Sequence, residues 1–277
     1  AGFGLDPKVV DLDGDGDMDL VGAGRSGLYW FENLLLNEAG VAPTRLVVPR
    51  YEDHARLLVL KDGTGKEQDI KTAADLGRRR AHLLAGMQEA MGELPGSFRR
   101  VPLKIEVLDE TETDKYVRRR IRYSAEAGDR VPAYLLIPKD LTGPVPAMLC
   151  LHQTTGIGKD EPAGLGGRET LHYAHELAER GYVCIVPDYP SFGEYPYDFK
   201  QQGAHYASGT MKAIWNNIRA VDVLETLPEV KRDQIGCIGH SLGGHNSLFT
   251  AAFEQRIRAV VTSCGFTAFH HYYGGKL

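Results

Sequence analysis

The stretch that most constrains the fold is Ile238-Gly239-His240-Ser241-Leu242-Gly243-Gly244. A short apolar lead-in of buried-strand character, Ile235-Gly236-Cys237-Ile238, runs into it, and a helix-like segment from Leu242 to Phe253 runs out. Between the two, Gly239, Ser241 and Gly243 fill the spacing G-x-S-x-G. A strand that turns at once into a helix forces the middle residue into a strained backbone conformation, so its neighbours must lack side-chain bulk. The turn lifts the Ser241 hydroxyl clear of the sheet and aims the helix N-terminus at the place where an oxyanion forms. The bare motif arises by chance; strand before and helix after make it a nucleophile elbow.

The chain around the elbow alternates strand and helix. Val145 to Leu151 is an apolar run of the length of a strand buried on both faces, and it empties into His152-Gln153-Thr154-Thr155-Gly156. A helix carrying Leu171, Ala174, Leu177 and Ala178 closes at Gly181, and Tyr182 to Val186 is the next strand, ending in Pro187-Asp188-Tyr189. Met211, Ile214, Trp215, Ile218 and Val221 mark the buried face of a helix from about Ser208 to Leu227, and Ala259 to Ser263 is a strand beyond the elbow helix. Such alternation predicts an α/β fold with a doubly wound, mostly parallel sheet. Upstream, Thr72-Ala73-Ala74-Asp75 opens a helix as a capping box with Asp in place of Glu or Gln, and Gly92 ends it. Pro102 to Leu108, Tyr116 to Ser124 and Arg130 to Ile137 alternate as strands. Arg78, Arg79 and Arg80 are expected on a solvated helix face, and Arg118, Arg119, Arg120 and Arg122 as exposed strand charges.

Composition narrows the function classes. A hydrophobic content of 43% with 25% charged residues provides a sizeable core over 277 residues. A net charge of -5 gives no basic surface for nucleic acid, and no run approaches the ~18 apolar residues of a membrane span. Cys150, Cys184, Cys237 and Cys264 have no C-x-x-C spacing and sit in expected core strands, as buried free thiols do. The opening Ala1-Gly2-Phe3-Gly4 has neither initiator Met nor targeting pattern, so the expectation is a piece of a longer protein.

Near the N-terminus, Asp11-Leu12-Asp13-Gly14-Asp15-Gly16-Asp17-Met18-Asp19 places a carboxylate at every second position. Hard cations such as calcium take six to eight oxygens, and Asp11, Asp13, Asp15 and Asp19 supply carboxylates at spacings suited to one ion. Gly16 takes the sharp turn, and Asp17 offers its backbone carbonyl. Gly22 stands where an EF-hand has its bidentate Glu, and strand-like segments flank the loop, which points to a calcium loop between two strands. The stretch Phe3 to Asn33, with Leu28-Tyr29-Trp30-Phe31-Glu32-Asn33 as closing strand, resembles one FG-GAP (VCBS-type) repeat of a β-propeller. A single repeat cannot bury its own apolar face, so further repeats are expected upstream. The composition shift near residue 40 divides the chain into a partial calcium-binding repeat (1–36), a linker (37–49) and a larger domain (50–277).

From G-H-S-L-G-G at 239 to 244, L-H-Q at 151 to 153 and P-D-Y at 187 to 189, residues 50–277 resemble the α/β-hydrolase fold, and within it the dienelactone hydrolase and acetylxylan-esterase-like branches. The resemblance implies Ser241 as nucleophile and an oxyanion hole made by the backbone N–H groups of Leu242 and Gln153, with Thr154 an alternative to the latter. It implies no cofactor for catalysis. His152 is read as shaping the oxyanion loop, since the catalytic His of this fold comes last in the chain, and His240 and His245 flank the serine too closely to act as its base. Asp188 and Glu194 either line the cleft or hold a loop. The short stretch after Ser241 contains one acid, Glu254, and the early His270 and His271, whereas the fold orders its triad serine, acid, histidine. The expectation is therefore a triad acid and histidine beyond Leu277, with this piece inactive alone.

The implied function is a serine-dependent ester hydrolase acting on a small-molecule or carbohydrate-linked ester. The repeat implies surface or polysaccharide contact and an extracytoplasmic location. Two alternatives stand beside it: a serine peptidase like prolyl oligopeptidase, and a calcium-dependent adhesion protein with an inert hydrolase domain.

Overall fold

The computed structural model describes residues 49–200 and 205–267 in full, together with the backbone of 8–10, 19–24 and 27–31. Lys8–Val10 (β1), Asp19–Gly24 (β2) and Gly27–Phe31 (β3) make a small antiparallel sheet, with Val10 opposite Asp19 and Leu20 opposite Phe31. Asp11, Asp13, Asp15 and Asp17 lie outside the described residues, as does the linker to residue 48, and Asp19 is described as strand backbone alone. Val59–Lys61 (β4) and Glu67–Asp69 (β5) form a hairpin whose three-residue strands are too short to leave an alternating pattern in the sequence. Its turn is tied by Asp62, whose Oδ1 accepts from the Thr64 and Lys66 N–H groups at 2.9 and 3.0 Å.

Helix α1, Ala73–Met91, starts with the expected capping box: Thr72 Oγ1 accepts from Asp75 N–H at 3.1 Å, and Asp75 accepts from Thr72 N–H at 3.1 Å. These bonds and Arg78 hold the Asp75 carboxyl down at about 2. The arginines that follow are not all solvated. Arg78 is exposed, but Arg79 is buried with its guanidinium 3.5 Å from the Tyr51 ring centroid, and Arg80 donates to the Ala252 carbonyl at 2.7 Å. Long cationic side chains bury their stems and stack on aromatic faces when a neighbouring segment covers them.

The main sheet is built from Glu106–Glu112 (β6), Tyr116–Glu126 (β7), Asp129–Pro138 (β8), Val145–Leu151 (β9), Val183–Pro187 (β10), Val230–His240 (β11) and Ile257–Ser263 (β12). Its strand order is β12-β11-β9-β10-β8-β7-β6. The four strands β12, β11, β9 and β10 run parallel, and β8, β7 and β6 continue as an antiparallel meander. The first expected strand is displaced: Pro102–Leu108 is mostly not strand, because Lys104 sits at φ +44, and β6 begins at Glu106. As an edge strand with nearly every side chain exposed, β6 has no apolar alternation to read. The β7 arginines pair across the surface, Arg119 with Glu110 at 2.6 Å and Arg120 with Glu194 at 3.3 Å.

The two faces of the sheet carry separate cores. Helix α3, Gly209–Thr226, covers one face, with Ile214, Trp215, Ile218 and Val221 against Ile121, Tyr123, Leu135 and Leu149. Helix α2, Tyr173–Glu179, covers the other, with Ala174 and Ala178 against Leu136, Met148, Cys150 and Cys184. Apolar residues on both sides of β9 and β10 are what drive helices onto both faces. Cys150, Cys184 and Cys237 are buried free thiols; Cys264 is exposed, one residue past the end of β12. Among the described residues, no helix is long and apolar enough to cross a membrane.

Candidate active site

All four parallel strands end at one edge, and Ser241 stands at the end of β11, between that strand and helix α4, Leu242–Phe253. Its backbone is at φ 51 and ψ -114, a conformation L-residues avoid at a cost of about 1–3 kcal/mol. Three features hold it there. Ser241 N–H donates to the Ser263 carbonyl at 2.7 Å, and His245 N–H donates to the Ser241 carbonyl at 2.9 Å. The glycines remove every obstacle: a Cβ on Gly239 would come 2.3 Å from the Gly243 carbonyl carbon, and one on Gly243 would come 1.9 Å from the Leu151 oxygen. The spacing read from the sequence is thus a packing requirement. Although Ser241 occupies the N-cap position of α4, its side chain makes no capping bond and is exposed. The hydroxyl faces solvent at the positive end of a helix.

The loop after β9 lies against this turn. Tyr173 donates its hydroxyl to the Leu151 carbonyl at 2.5 Å, the same oxygen that Gly243 abuts, so β9 and the elbow are packed together through backbone. The next residue, His152, is 2% exposed and both its ring nitrogens are used. Nδ1 lies 2.7 Å from the Gln153 carbonyl and Nε2 accepts from Tyr189 N–H at 2.9 Å. A carbonyl oxygen only accepts, so Nδ1 carries the proton and the ring is neutral. Burial holds its pKa below the ordinary value. This geometry makes His152 a strut between two loops, with no lone pair left to act as a base.

Leu242 is the first residue of α4, so its N–H has no carbonyl one turn back to bond. Gln153 sits in the loop opposite, 8% exposed, its carboxamide Nε2 held by the Glu161 carboxylate and its Oε1 buried without a partner. Asp188 and Glu194 are tied up elsewhere. Asp188 accepts from Lys159 N–H at 2.8 Å, from Lys159 Nζ at 3.0 Å and from Glu194 N–H at 3.0 Å, and Glu194 reaches the same ammonium at 3.2 Å. Burial raises the Asp188 carboxyl above its ordinary value against the pull of that ammonium. Of the two readings open for this pair, loop anchoring is the one the geometry supports.

Among the described residues no imidazole bonds the Ser241 hydroxyl. His240 Nδ1 is 3.0 Å from Ser263 Oγ, and His245 stacks on Phe249 with ring centroids 4.1 Å apart. Glu254, past the far end of α4, is clasped by Arg256 at 2.5 Å. His270 and His271 lie outside the described residues. Among the described residues, two of the cavities border this edge. One of about 10 Å³, the size of a single water site, lies under the elbow among His152, Asp188, Asn217 and Asn246, where Asn246 Oδ1 is buried without a partner. The other, about 450 Å³, opens at the β7–β8 turn between Phe98, Arg99, Glu126, Asp129 and Tyr197. Beneath it a fully buried Lys212 is bonded to Glu126 at 2.9 Å and Asp129 at 2.6 Å, a cluster with no motif to announce it in the sequence.

Comparison with known proteins agrees with this fold. The family model of the dienelactone hydrolase family matches residues 131–272. YtaP of Bacillus subtilis (strain 168), provisionally described as a hydrolase, is 29% identical over 183 residues, 63% of this chain and 60% of that protein. A Bacteroides fragilis structure provisionally described as an acetyl xylan esterase superposes with a TM-score of 0.59 at 19% identity, covering 69% of this chain and 54% of the other. A glucuronoyl esterase from Solibacter usitatus gives a TM-score of 0.57 at 19% identity, with coverages of 78% and 64%. At such identities the structural likeness is one of fold. The chain spans about three fifths of the length of YtaP.

Proposed function

The chain belongs to the dienelactone hydrolase family, and from that premise we propose that it carries the nucleophile and oxyanion hole of a serine-dependent carboxylic ester hydrolase. The observation that carries the reading is Ser241, held at φ 51 with an exposed, uncapped hydroxyl at the N-terminus of α4. In the proposed reaction Ser241 Oγ attacks the ester carbonyl carbon while its proton passes to a general base. The carbonyl oxygen becomes an oxyanion and takes hydrogen bonds from the Leu242 and Gln153 N–H groups, each contributing roughly 3 kcal/mol by mutational precedent. The C–O bond to the alcohol breaks as the base returns the proton, and water then releases the acyl group from Ser241. Among the described residues no imidazole bonds the Ser241 hydroxyl, so the base and its orienting carboxylate are assigned to none of them.

The substrate class proposed is an ester linked to a sugar, the support being the acetyl xylan esterase and glucuronoyl esterase among the structural relatives. The acidic loop Asp11 to Asp19 is read as a structural calcium site, and the repeat containing it as a contact to a surface or polysaccharide outside the cytoplasm; the support is the alternating aspartate pattern.

The test is hydrolysis of p-nitrophenyl acetate and of acetylated xylo-oligosaccharides by the full-length protein. Ser241→Ala is expected to lower kcat by at least about 10³-fold with the fold intact. Equal activity in parent and variant would remove Ser241 from the chemistry, and cleavage of peptides in place of esters would favour the peptidase alternative.

A further inference from the structure

The loop after β9 contains a buried carboxylate with no cation on it. Glu161 is 4% exposed. Lys159, two residues earlier, is committed to Asp188 and Glu194, and no ion pair to Glu161 forms among the described residues. A carboxylate taken out of water without a counter-ion is destabilising unless hydrogen bonds replace its hydration. Both Glu161 oxygens have such bonds. Oε2 accepts from Gln153 Nε2 in a very short contact, and Oε1 accepts from Arg168 N–H at 2.8 Å. Gly167 gives way to it: a Cβ there would stand 2.4 Å from the Glu161 carboxyl.

From the Gln153 side, its carbonyl accepts from His152 Nδ1–H at 2.7 Å, and its carboxamide has one anchor, since Oε1 has no partner. The residue is therefore pinned at its carbonyl by His152 and at its side chain by Glu161, and among the described residues its backbone N–H is left uncommitted. Resting on the ester-hydrolase reading, we infer that Glu161 is a positioning residue: through the Gln153 carboxamide it fixes the Gln153 N–H at the distance from Ser241 that the transition-state oxyanion requires. A hydrogen-bond donor displaced by about 1 Å loses much of a contribution worth 10²–10³ in rate. Holding that donor gives a carboxylate without a cation a reason to be there.

The experiment is a double-mutant cycle on kcat in the full-length protein, with Glu161→Ala, Gln153→Ala and the pair. Each single variant is expected to lower kcat about 10- to 100-fold with KM within about 3-fold, because the lost interaction belongs to the transition state. The pair is expected to be no slower than the slower single by more than about 3-fold, since Glu161 acts through Gln153. Losses that multiply in the pair, or an unchanged kcat in Glu161→Ala, would overturn the inference. Glu161→Gln keeps size and one acceptor oxygen; it is expected to recover part of kcat and to shift the Gln153 side-chain NH₂ resonances in ¹⁵N spectra, and unshifted resonances would also overturn it. That variant serves if the alanine variant fails to fold. A parent protein without esterase activity overturns the ester-hydrolase reading and this inference together, whereas an active parent with multiplying losses overturns this inference alone.

Discussion

An alanine at Gly243 would place its Cβ 1.9 Å from the Leu151 carbonyl oxygen, 2.5 Å from the Leu151 carbonyl carbon and 2.8 Å from the His152 oxygen. Side-chain Cβ atoms essentially never approach another heavy atom closer than 3.0 Å, so the closest contact is short by at least about 1.1 Å. All three obstacles are backbone, and no side chain can swing aside to relieve them. Either the end of β9 or the first turn of α4 must move. Overpacking of this kind costs up to about 3 kcal/mol, and the better helix propensity of alanine returns about 1. The net loss of about 2 kcal/mol lowers the melting temperature by about 4–8 °C in a domain of this size. The same movement separates the Gln153 loop from Ser241, and a displacement near 1 Å costs about 10²-fold in rate. Thermal melts and ester hydrolysis of Gly243→Ala in the full-length protein measure both effects. Gly86→Ala is the control: it lies within α1 with nothing within 4 Å of its added Cβ, and gains about 1 kcal/mol from helix propensity. A Gly243→Ala protein that melts and turns over like the parent would refute the packing argument for the elbow.

Two further outcomes follow from other parts of the chain. Burial works to raise the Glu126 carboxyl, but the Lys212 ammonium and bonds from Tyr206 and Arg99 outweigh it, and its pKa lies below the ordinary 4.5. A folded-state value lower than the unfolded one stabilises fully above about pH 4.5, and that contribution is lost as pH falls through the lower folded value. Melting temperatures between about pH 5 and pH 3 should therefore fall less steeply in Glu126→Gln than in the parent, while the variant melts lower at pH 7; parallel curves would contradict the cluster's role. For the acidic loop, calorimetric titration with calcium should show a saturable site that Asp13→Asn weakens at least about 10-fold. Absence of any calcium-dependent heat would remove the site.

The elbow was legible because strand, serine turn and helix each impose composition: Gly239 and Gly243 meet backbone, and the apolar residues of β9 and β10 are buried on both faces. The capping box of α1 and the buried face of α3 were readable for similar local reasons, a side chain satisfying a backbone donor and apolar residues recurring each turn. What escaped depends on distant partners. The β6 start is set by Lys104 at positive φ and by edge exposure, neither of which leaves an apolar pattern. Arg79 was expected in solvent because its cover, Tyr51, lies in another segment. Glu161 and Lys159 gave no signal, since a buried charge is recognised by what surrounds it. Their partners Gln153 and Asp188 lie 8 and 29 residues away.

The most direct measurement is to treat the full-length protein with a fluorophosphonate and map the adduct by peptide mass spectrometry. Such a reagent stays on an activated serine beside an oxyanion hole and ignores ordinary serine hydroxyls. One stoichiometric adduct is expected, on the peptide containing Ser241, with ester hydrolysis lost in proportion to labelling. An adduct on another serine, or full ester hydrolysis with Ser241 labelled, would contradict it.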